Sequence, residues 1–289
     1  MKKRDVALVL SSGGAKGFAH IGVINALKRH GFNIHSVAGA SMGSLIGGLY
    51  TTGELDNFVD FMDNMDLREM MKLIDITISS KGLIKGDKVI AKLKELIPDR
   101  NIEDLKLPYC AVATDIVSGE EKVFTDGKLY DAIRASISIP TVFTPHVIDG
   151  HYYVDGGVVN PIPVNRVKRK WRDIVVAVNV NAMIPVKKKP EPKKVQRKYP
   201  EQLKLLIEKI ENIVPKNRAD HIGIFNLTNK SLNLMLNQIS ELTLKLDPPD
   251  IQIDLSVDAF GMFDFYKAKE IIESGDIAAE KAIKKYLKR

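Results

Sequence analysis

The 289 residues predict an α/β chain: a three-layer α/β/α arrangement with a mostly parallel central sheet. Three observations carry that expectation. Short apolar runs, such as Val6-Ala7-Leu8-Val9-Leu10 and Val175-Val176-Ala177-Val178, have the length and bounds of strands buried on both faces. These runs alternate with segments of helical periodicity, the pattern of a parallel sheet with helices on both sides. A hydrophobic content of 45% over this length is enough to bury a large core.

The elements follow in order. Residues 5–10 form the first strand, ended by Ser11-Ser12-Gly13-Gly14. After Ala15-Lys16-Gly17 a helix runs from Phe18 to Lys28, with Ile21, Ile24 and Leu27 on one face and Gly31 past its end as a C-cap. Residues 34–38 are a second strand, and 43–50, small and apolar, a second helix. Between them Gly39-Ala40-Ser41-Met42-Gly43 has the spacing G-x-S-x-G, a nucleophile elbow. Its glycines omit the Cβ atoms that a sharp strand-to-helix turn cannot hold, and the serine Oγ is left at the helix head. The same five residues also suit a plain glycine-rich loop whose serine caps the helix. Residues 109–113 and 174–180 are further strands. Residues 151–155 form a strand ending in Asp155, followed by Gly156-Gly157. Ile251-Gln252-Ile253-Asp254-Leu255 alternates as an edge strand does, and helices are expected over 201–214, 222–246 and 267–288.

The glycine loop at a helix start offers unpaired N–H groups to an anion, either a phosphate or the oxyanion of acyl transfer. Nucleotide readings fail on spacing. Gly13-Gly14-Ala15-Lys16-Gly17 is neither G-x-G-x-x-G nor a Walker sequence, and no acid closes the second strand. An Asp-Gly-Gly turn is by itself ordinary turn chemistry. In company with a glycine loop and a serine elbow, Asp155 becomes the candidate base.

These segments together resemble the patatin-like phospholipases, a family of lipid acyl hydrolases. Leu10-Ser11-Ser12-Gly13-Gly14-Ala15-Lys16-Gly17 is similar to the family's glycine-rich oxyanion segment, and Gly39-Ala40-Ser41-Met42-Gly43 to its elbow. Arg134-Ala135-Ser136-Ile137-Ser138-Ile139-Pro140, Ala113-Thr114-Asp115 and Asp155-Gly156-Gly157 resemble other family blocks, in the family order over residues 5–180. Ser12 departs from the pattern, standing where the family usually has its first glycine; a serine fits there if its φ is negative. The resemblance implies a patatin-like fold and a serine hydrolase of carboxylic esters, acting on phospholipids, lysophospholipids or other acyl lipids without metal or cofactor. Ser41 would attack the carbonyl, Asp155 would take its proton, and the N–H groups of Gly13, Gly14 and Ala15 would hold the oxyanion. Lys16, Gly17, Gly39, Gly43, Gly156 and Gly157 would support these motifs. Residues 185–289 match nothing in the family pattern.

An exposed carboxylate, with a pKa of about 3.9, is a weak base, and desolvation in a closed site would strengthen it. A Ser-His-Asp triad is the rival chemistry. In the order serine, acid, histidine, only His221 follows Asp155, in a segment that reads as helical surface. His146 and His151 flank the Asp155 strand and His20 lies near the glycine loop, where orienting or structural roles suit them. A serine-aspartate dyad is therefore expected. A non-catalytic lipid-binding protein and an acyltransferase remain alternatives on the same scaffold.

The outer limits come from composition. Cys110 is the sole cysteine, so no intrachain disulfide forms, as suits a reducing cytoplasm. The apolar run after Met1-Lys2-Lys3-Arg4 is too short for a secretory signal, and no stretch near 18 apolar residues spans a membrane. A cytoplasmic protein, peripheral to the membrane at most, is expected. The net charge of +7 is concentrated: Lys187, Lys188, Lys189, Lys193, Lys194, Arg197 and Lys198 stand against Glu191 alone, a local net of +6, with Pro190 and Pro192 breaking any helix. This divides the chain into a core of residues 1–184, a basic linker or loop of 185–200, and a mostly helical extension of 201–289. The basic stretch is either a solvated insertion or a contact for anionic lipid, each charge adding about 1 kcal/mol near such a surface. Its lack of interleaved aromatic residues argues against nucleic acid. Residues 67–74, with Leu67, Met70, Met71 and Ile74, suit a lid or ordinary core packing. The C-terminal helices can cover an acyl pocket, pair with a second subunit or cap the domain.

Overall fold

The computed structural model describes residues 4–65, 73, 76–79, 82–185 and 224–288. The chain opens with β1 (Arg4–Leu10), a 3-10 turn over Gly14–Phe18, α1 (Ala19–Arg29), β2 (Phe32–Ala40), α2 (Met42–Thr52) and α3 (Leu55–Asn64). A separate antiparallel pair, β3 (Ile76–Ser79) and β4 (Gly82–Ile84), precedes α4 (Asp87–Leu96). Then come β5 (Tyr109–Asp115), β6 (Glu121–Phe124), α5 (Leu129–Ser136), β7 (His146–Ile148), β8 (His151–Asp155) and β9 (Ile174–Ala182). The described chain ends with α6 (Ile224–Leu246), β10 (Ile251–Ser256) and α7 (Ala268–Leu287).

The large sheet has the order β10-β9-β1-β2-β5-β8-β7, with β6 also paired to β5. Strands β10, β9, β1, β2 and β5 run parallel, whereas β6, β7 and β8 add antiparallel pairs at one end. The expected mostly parallel sheet with helices on both faces is what the chain forms. Alternation along β1 shows the two faces directly. Val6, Leu8 and Leu10 join the core beneath α1, α2, α5 and α7, while Ala7 and Val9 join a second cluster with Ile162, Val164, Val175 and Leu244 of α6. Leu8 and Leu10 are fully buried, and truncating either to alanine would cost about 2–5 kcal/mol.

The C-terminal stretch completes this same core. β10 lies parallel beside β9 as the edge strand, with Ile251 opposite Val176 and Ile253 opposite Val178. Helix α7 packs along α1 at glycine-width separation. A Cβ on Gly22 would lie 2.0 Å from the Ile272 carbonyl oxygen, and one on Gly275 would lie 2.1 Å from that of Ala19.

One feature of the register positions the site. β6 pairs with residues 111–114 of β5 along one edge, so β2 and β8, which pair with 109–112 and 113–115, share the other edge. They approach from opposite directions, and their C-terminal ends meet: Ala40 is opposite Val112, and Asp155 is opposite Ala113. The residue after Ala40 is Ser41. The topology thus delivers the serine and the aspartate to one point.

Candidate active site

Ser41 is the single residue between β2 and α2, and it must reverse the chain within its own two dihedrals. It does so at φ 54°, ψ −127°, a region that costs a non-glycine residue about 1–3 kcal/mol and persists only where its surroundings hold it. Hydrogen bonds at both of its backbone groups hold it here. The Ser41 N–H donates to Ser136 Oγ at 2.8 Å, and Ser44 Oγ donates to the Ser41 carbonyl at 2.6 Å. The flanking glycines allow the turn to close: a Cβ on Gly39 would sit 2.4 Å from the Gly43 oxygen, and one on Gly43 would sit 2.2 Å from the Leu10 oxygen.

Asp155 ends β8. Its N–H donates to the Ser138 carbonyl at 2.9 Å, and its Oδ1 accepts the Gly157 N–H at 2.7 Å. The Ser41 hydroxyl donates to Asp155 Oδ2 at 2.5 Å. Both residues are buried, 3% and 6% exposed. Burial pushes the Asp155 carboxyl up to about 6, outweighing the stabilising bonds from Ser41 and Gly157. A carboxylate in this state is a better proton acceptor than an exposed one, and it accepts the Ser41 hydroxyl directly.

Gly13, Gly14 and Lys16 line the same cleft as Ser41 and Asp155. Gly14 adopts φ 55°, the left-handed turn that glycine enters freely. Among the described residues, no acceptor takes the N–H of Gly13 or of Gly14. Ala15 differs from expectation: its N–H donates to the Met262 carbonyl at 2.9 Å, so its donor is occupied by the loop after β10. Ser12 has no positive φ, which is why serine fits at this position. Its N–H donates to the Pro161 carbonyl, its carbonyl accepts from Asn181 Nδ2, and its buried Oγ has no partner among the described residues. Gly17 packs against Met42, and Gly156 against the Val112 carbonyl. The Lys16 ammonium donates to the Val257 carbonyl at 3.4 Å; burial lowers its pKa to about 8, with Asp258 opposing the fall.

The described histidines are engaged elsewhere. His20 Nε2 donates to the Ser11 carbonyl at 2.9 Å, and burial lowers its pKa to about 4, so it braces the loop as a neutral ring. His30 faces Glu280, His35 faces Asp173, His146 faces Asp131 and His151 faces Asp115. None of these rings bonds to Ser41 or Asp155. His221, the basic residues 187–198, the expected helix 201–214, and residues 67–74 apart from Leu73 lie outside the described residues.

The cleft is roofed by Leu232, Asn233 and Leu236 of α6 and by Met262, and it encloses about 50 Å³. A larger cavity of about 300 Å³ lies near the start of β5, between Val37, Leu105, Leu107 and Tyr109, and contains none of the candidate residues. Cys110 borders it, its thiol pushed up to about 12 by burial and therefore unreactive.

The role of residues 134–140 was not legible in sequence. Ser136 Oγ accepts the Ser41 N–H and donates to the Val112 carbonyl at 2.6 Å, tying the elbow to β5. Arg134 Nη1 donates to Ser138 Oγ at 2.6 Å, and the Ser138 carbonyl holds the Asp155 N–H. One short segment thus steadies both the serine and the aspartate. A side chain that serves a backbone N–H far away in sequence leaves no local pattern to read.

A family model for patatin-like phospholipase matches residues 8–167, more than half of the chain. The chain belongs to the patatin-like phospholipase family. An uncharacterised NTE family protein of Mycobacterium tuberculosis is 42% identical over 176 residues, a match that covers 61% of this chain and 49% of that protein. Patatin-like phospholipase domain-containing protein 7 of Rattus norvegicus is 32% identical over 183 residues, covering 61% of this chain and 14% of the rat protein. A patatin-like phospholipase domain-containing protein of Caenorhabditis elegans is 36% identical over 186 residues, covering 62% and 14%. The chain thus spans about half the length of the mycobacterial relative and a small part of the animal ones. Among solved structures, VipD from Legionella pneumophila aligns at a TM-score of 0.46 and 12% identity, over 99% of this chain and 67% of that one.

Proposed function

We propose that this chain is a serine hydrolase that cleaves carboxylic esters of acyl lipids, phospholipids or lysophospholipids among them, through Ser41 and Asp155. The observation that carries the reading is the 2.5 Å hydrogen bond from the Ser41 hydroxyl to a buried carboxylate with a pKa near 6. Ser41 Oγ attacks the ester carbonyl as its proton passes to Asp155 Oδ2. The oxyanion forms beside the free N–H groups of Gly13 and Gly14, where one donor is typically worth about 10²–10³ in rate. The amide of Ala15, which donates to the Met262 carbonyl, is not among them. The unpartnered Ser12 hydroxyl lines the same cleft and is a further donor available to the substrate, and Lys16, protonated below pH 8, adds positive charge. Asp155 then returns the proton to the alkoxide leaving group. Water, deprotonated by Asp155, attacks the acyl-Ser41 carbonyl, and the acid departs as Ser41 regains its proton. The family name of the relatives supports a lipid substrate, and the distant pairing of the described histidines supports a dyad without histidine.

The reading is tested by incubating folded protein with a fluorophosphonate probe, alongside turnover of p-nitrophenyl esters and phospholipids. Labelling at Ser41, with hydrolysis lost in Ser41→Ala, is the expected result. A folded protein that neither labels nor hydrolyses would be the non-catalytic lipid-binding alternative. Acyl transfer uses the same residues and would show as product on an added alcohol in preference to water.

A further inference from the structure

Helix α6 carries apolar residues on its outer side as well as on its inner one. A helix lying on a core ordinarily turns apolar residues inward and polar ones to water. The buried side of α6 mixes Leu244 with Asn237 and Ser240, 8%, 6% and 2% exposed, and Asn233 faces the cleft. Leu227, Leu234, Met235 and Leu242 instead point outward, 53–59% exposed. At helical spacing these four form one continuous face. The exposed charges along it are Lys230 and Lys245; the helix's one acid, Glu241, sits at the edge of the face 3.8 Å from Lys245.

This face adjoins the mouth of the site. The inner side of the same helix supplies Leu232, Asn233 and Leu236 to the cleft of Ser41. Two more large apolar side chains stand exposed beside cleft residues: Met183, two positions past Asn181, and Phe263, directly after Met262. An exposed apolar patch rimmed by lysines and set over a small apolar cleft has the composition of a surface that enters the headgroup layer of a bilayer. The chain leaves the described structure after Pro185 and returns at Ile224, and the intervening sequence begins with the net +6 of residues 187–198. That charge favours an anionic membrane. A second copy of the chain is the competing occupant, and the oligomeric state measured below decides against or for it.

We propose that the outer face of α6, with Met183 and Phe263, is a docking surface for an anionic phospholipid bilayer, placing the cleft mouth against the lipid. The inference deepens the lipid-hydrolase reading and rests on it for its purpose, but binding is measured without turnover. The experiment is co-sedimentation of the whole chain with vesicles of phosphatidylcholine, with and without phosphatidylglycerol, for wild type, Leu234→Gln/Met235→Gln and Leu227→Gln/Leu242→Gln. Each variant's fold is checked by circular dichroism melting, and its site by hydrolysis of a short water-soluble ester. Wild type should bind phosphatidylglycerol vesicles more tightly than phosphatidylcholine alone. Each double variant should lose about tenfold or more in partition as two apolar side chains leave the interface, with melting and soluble-ester hydrolysis unchanged. The proposal is overturned if wild type fails to bind, if folded variants bind as well as wild type, or if wild type sediments as a dimer that these substitutions dissociate. Vesicle binding without any ester hydrolysis would support the docking surface and sink the hydrolase reading; hydrolysis without vesicle binding would do the reverse.

Discussion

Asparagine in place of Asp155 preserves side-chain shape and both of its contacts while removing the charge. The amide oxygen can accept from the Gly157 N–H, and the amide nitrogen can reach Ser41 Oγ. In wild type, burial raises the carboxyl from 3.8 to about 6. The unfolded chain therefore releases this proton at lower pH than the folded protein does. Below pH 3.8 both states are protonated and the folded state has its full stability. Between pH 3.8 and about 6 the folded state binds more protons, so stability falls as pH rises, and above about 6 the loss is complete. That difference in pKa corresponds to about 3 kcal/mol. Asp155→Asn should accordingly be more stable than wild type by about 3 kcal/mol at pH 7 to 8, or about 5–10 °C in melting temperature. The gap should close as pH falls toward 4. Thermal melts of both proteins across this range read it, and other titrating groups cancel in the difference. Ester hydrolysis by the variant should meanwhile drop by about 10²–10⁴, as expected for a lost general base. A stability gap that does not vary with pH, or a wild type that gains on the variant between pH 4 and 7, would refute the claim that burial governs Asp155.

The other expectations concern its neighbours. Ser136→Ala leaves the buried Ser41 N–H without its acceptor and removes the hydroxyl bond to the Val112 carbonyl; chemical denaturation should show a loss of about 1–3 kcal/mol, and kcat should fall as the elbow loosens. Gly43→Ala drives a Cβ to 2.2 Å from the Leu10 oxygen, and circular dichroism of the expressed protein should show no native fold. The pH profile of kcat/KM should rise through about 6 as Asp155 ionises and decline above about 8 as Lys16 deprotonates; in Lys16→Met the upper limb should flatten while the lower one stays. His221→Ala should hydrolyse esters at a rate close to wild type, and a loss equal to that of Ser41→Ala would reinstate a histidine triad.

What could be read from sequence was what short-range sterics dictate. Gly39 and Gly43 are needed because their backbones pass other carbonyls at distances no Cβ permits, so the elbow is written in five consecutive residues. The strands were legible for a related reason: Val6 to Leu10 are buried on both faces and must all be apolar. Asp155 could be named only in combination, since an Asp-Gly-Gly turn is ambiguous until a serine elbow stands elsewhere in the chain. The rest depends on distant partners. Ser136 looks like any helix-end serine until its hydroxyl is seen under the Ser41 N–H. Ala15 looks like an oxyanion donor until Met262, from a loop with no motif, takes its N–H. The first helix was expected from Phe18, yet residues 14–18 form a 3-10 turn first, because Gly14 enters it at positive φ. The apolar outer side of α6 was equally hidden: its leucines scan as an ordinary amphipathic face, and only the fold shows that several of them point away from the core.

The geometry of the serine-aspartate pair follows from strand register more than from either residue's own loop. β2 and β8 meet end to end along one edge of β5, and the Ser136 hydroxyl and the Ser138 carbonyl fasten the two ends to a common segment. Slipping β8 by one residue along β5 would move Asp155 by about 3.3 Å and turn its side chain to the other face of the sheet. Either change is larger than a 2.5 Å hydrogen bond can survive. The register is guarded at that point by Gly156, whose Cα lies so close to β5 that a Cβ would fall 2.0 Å from the Val112 carbonyl oxygen. The glycine after the aspartate is thus required by the strand that positions Asp155, as Gly39 and Gly43 are required by the turn that presents Ser41. Under the proposed mechanism this arrangement needs no histidine relay, because the sheet holds the carboxylate in direct contact with the hydroxyl and burial raises its basicity.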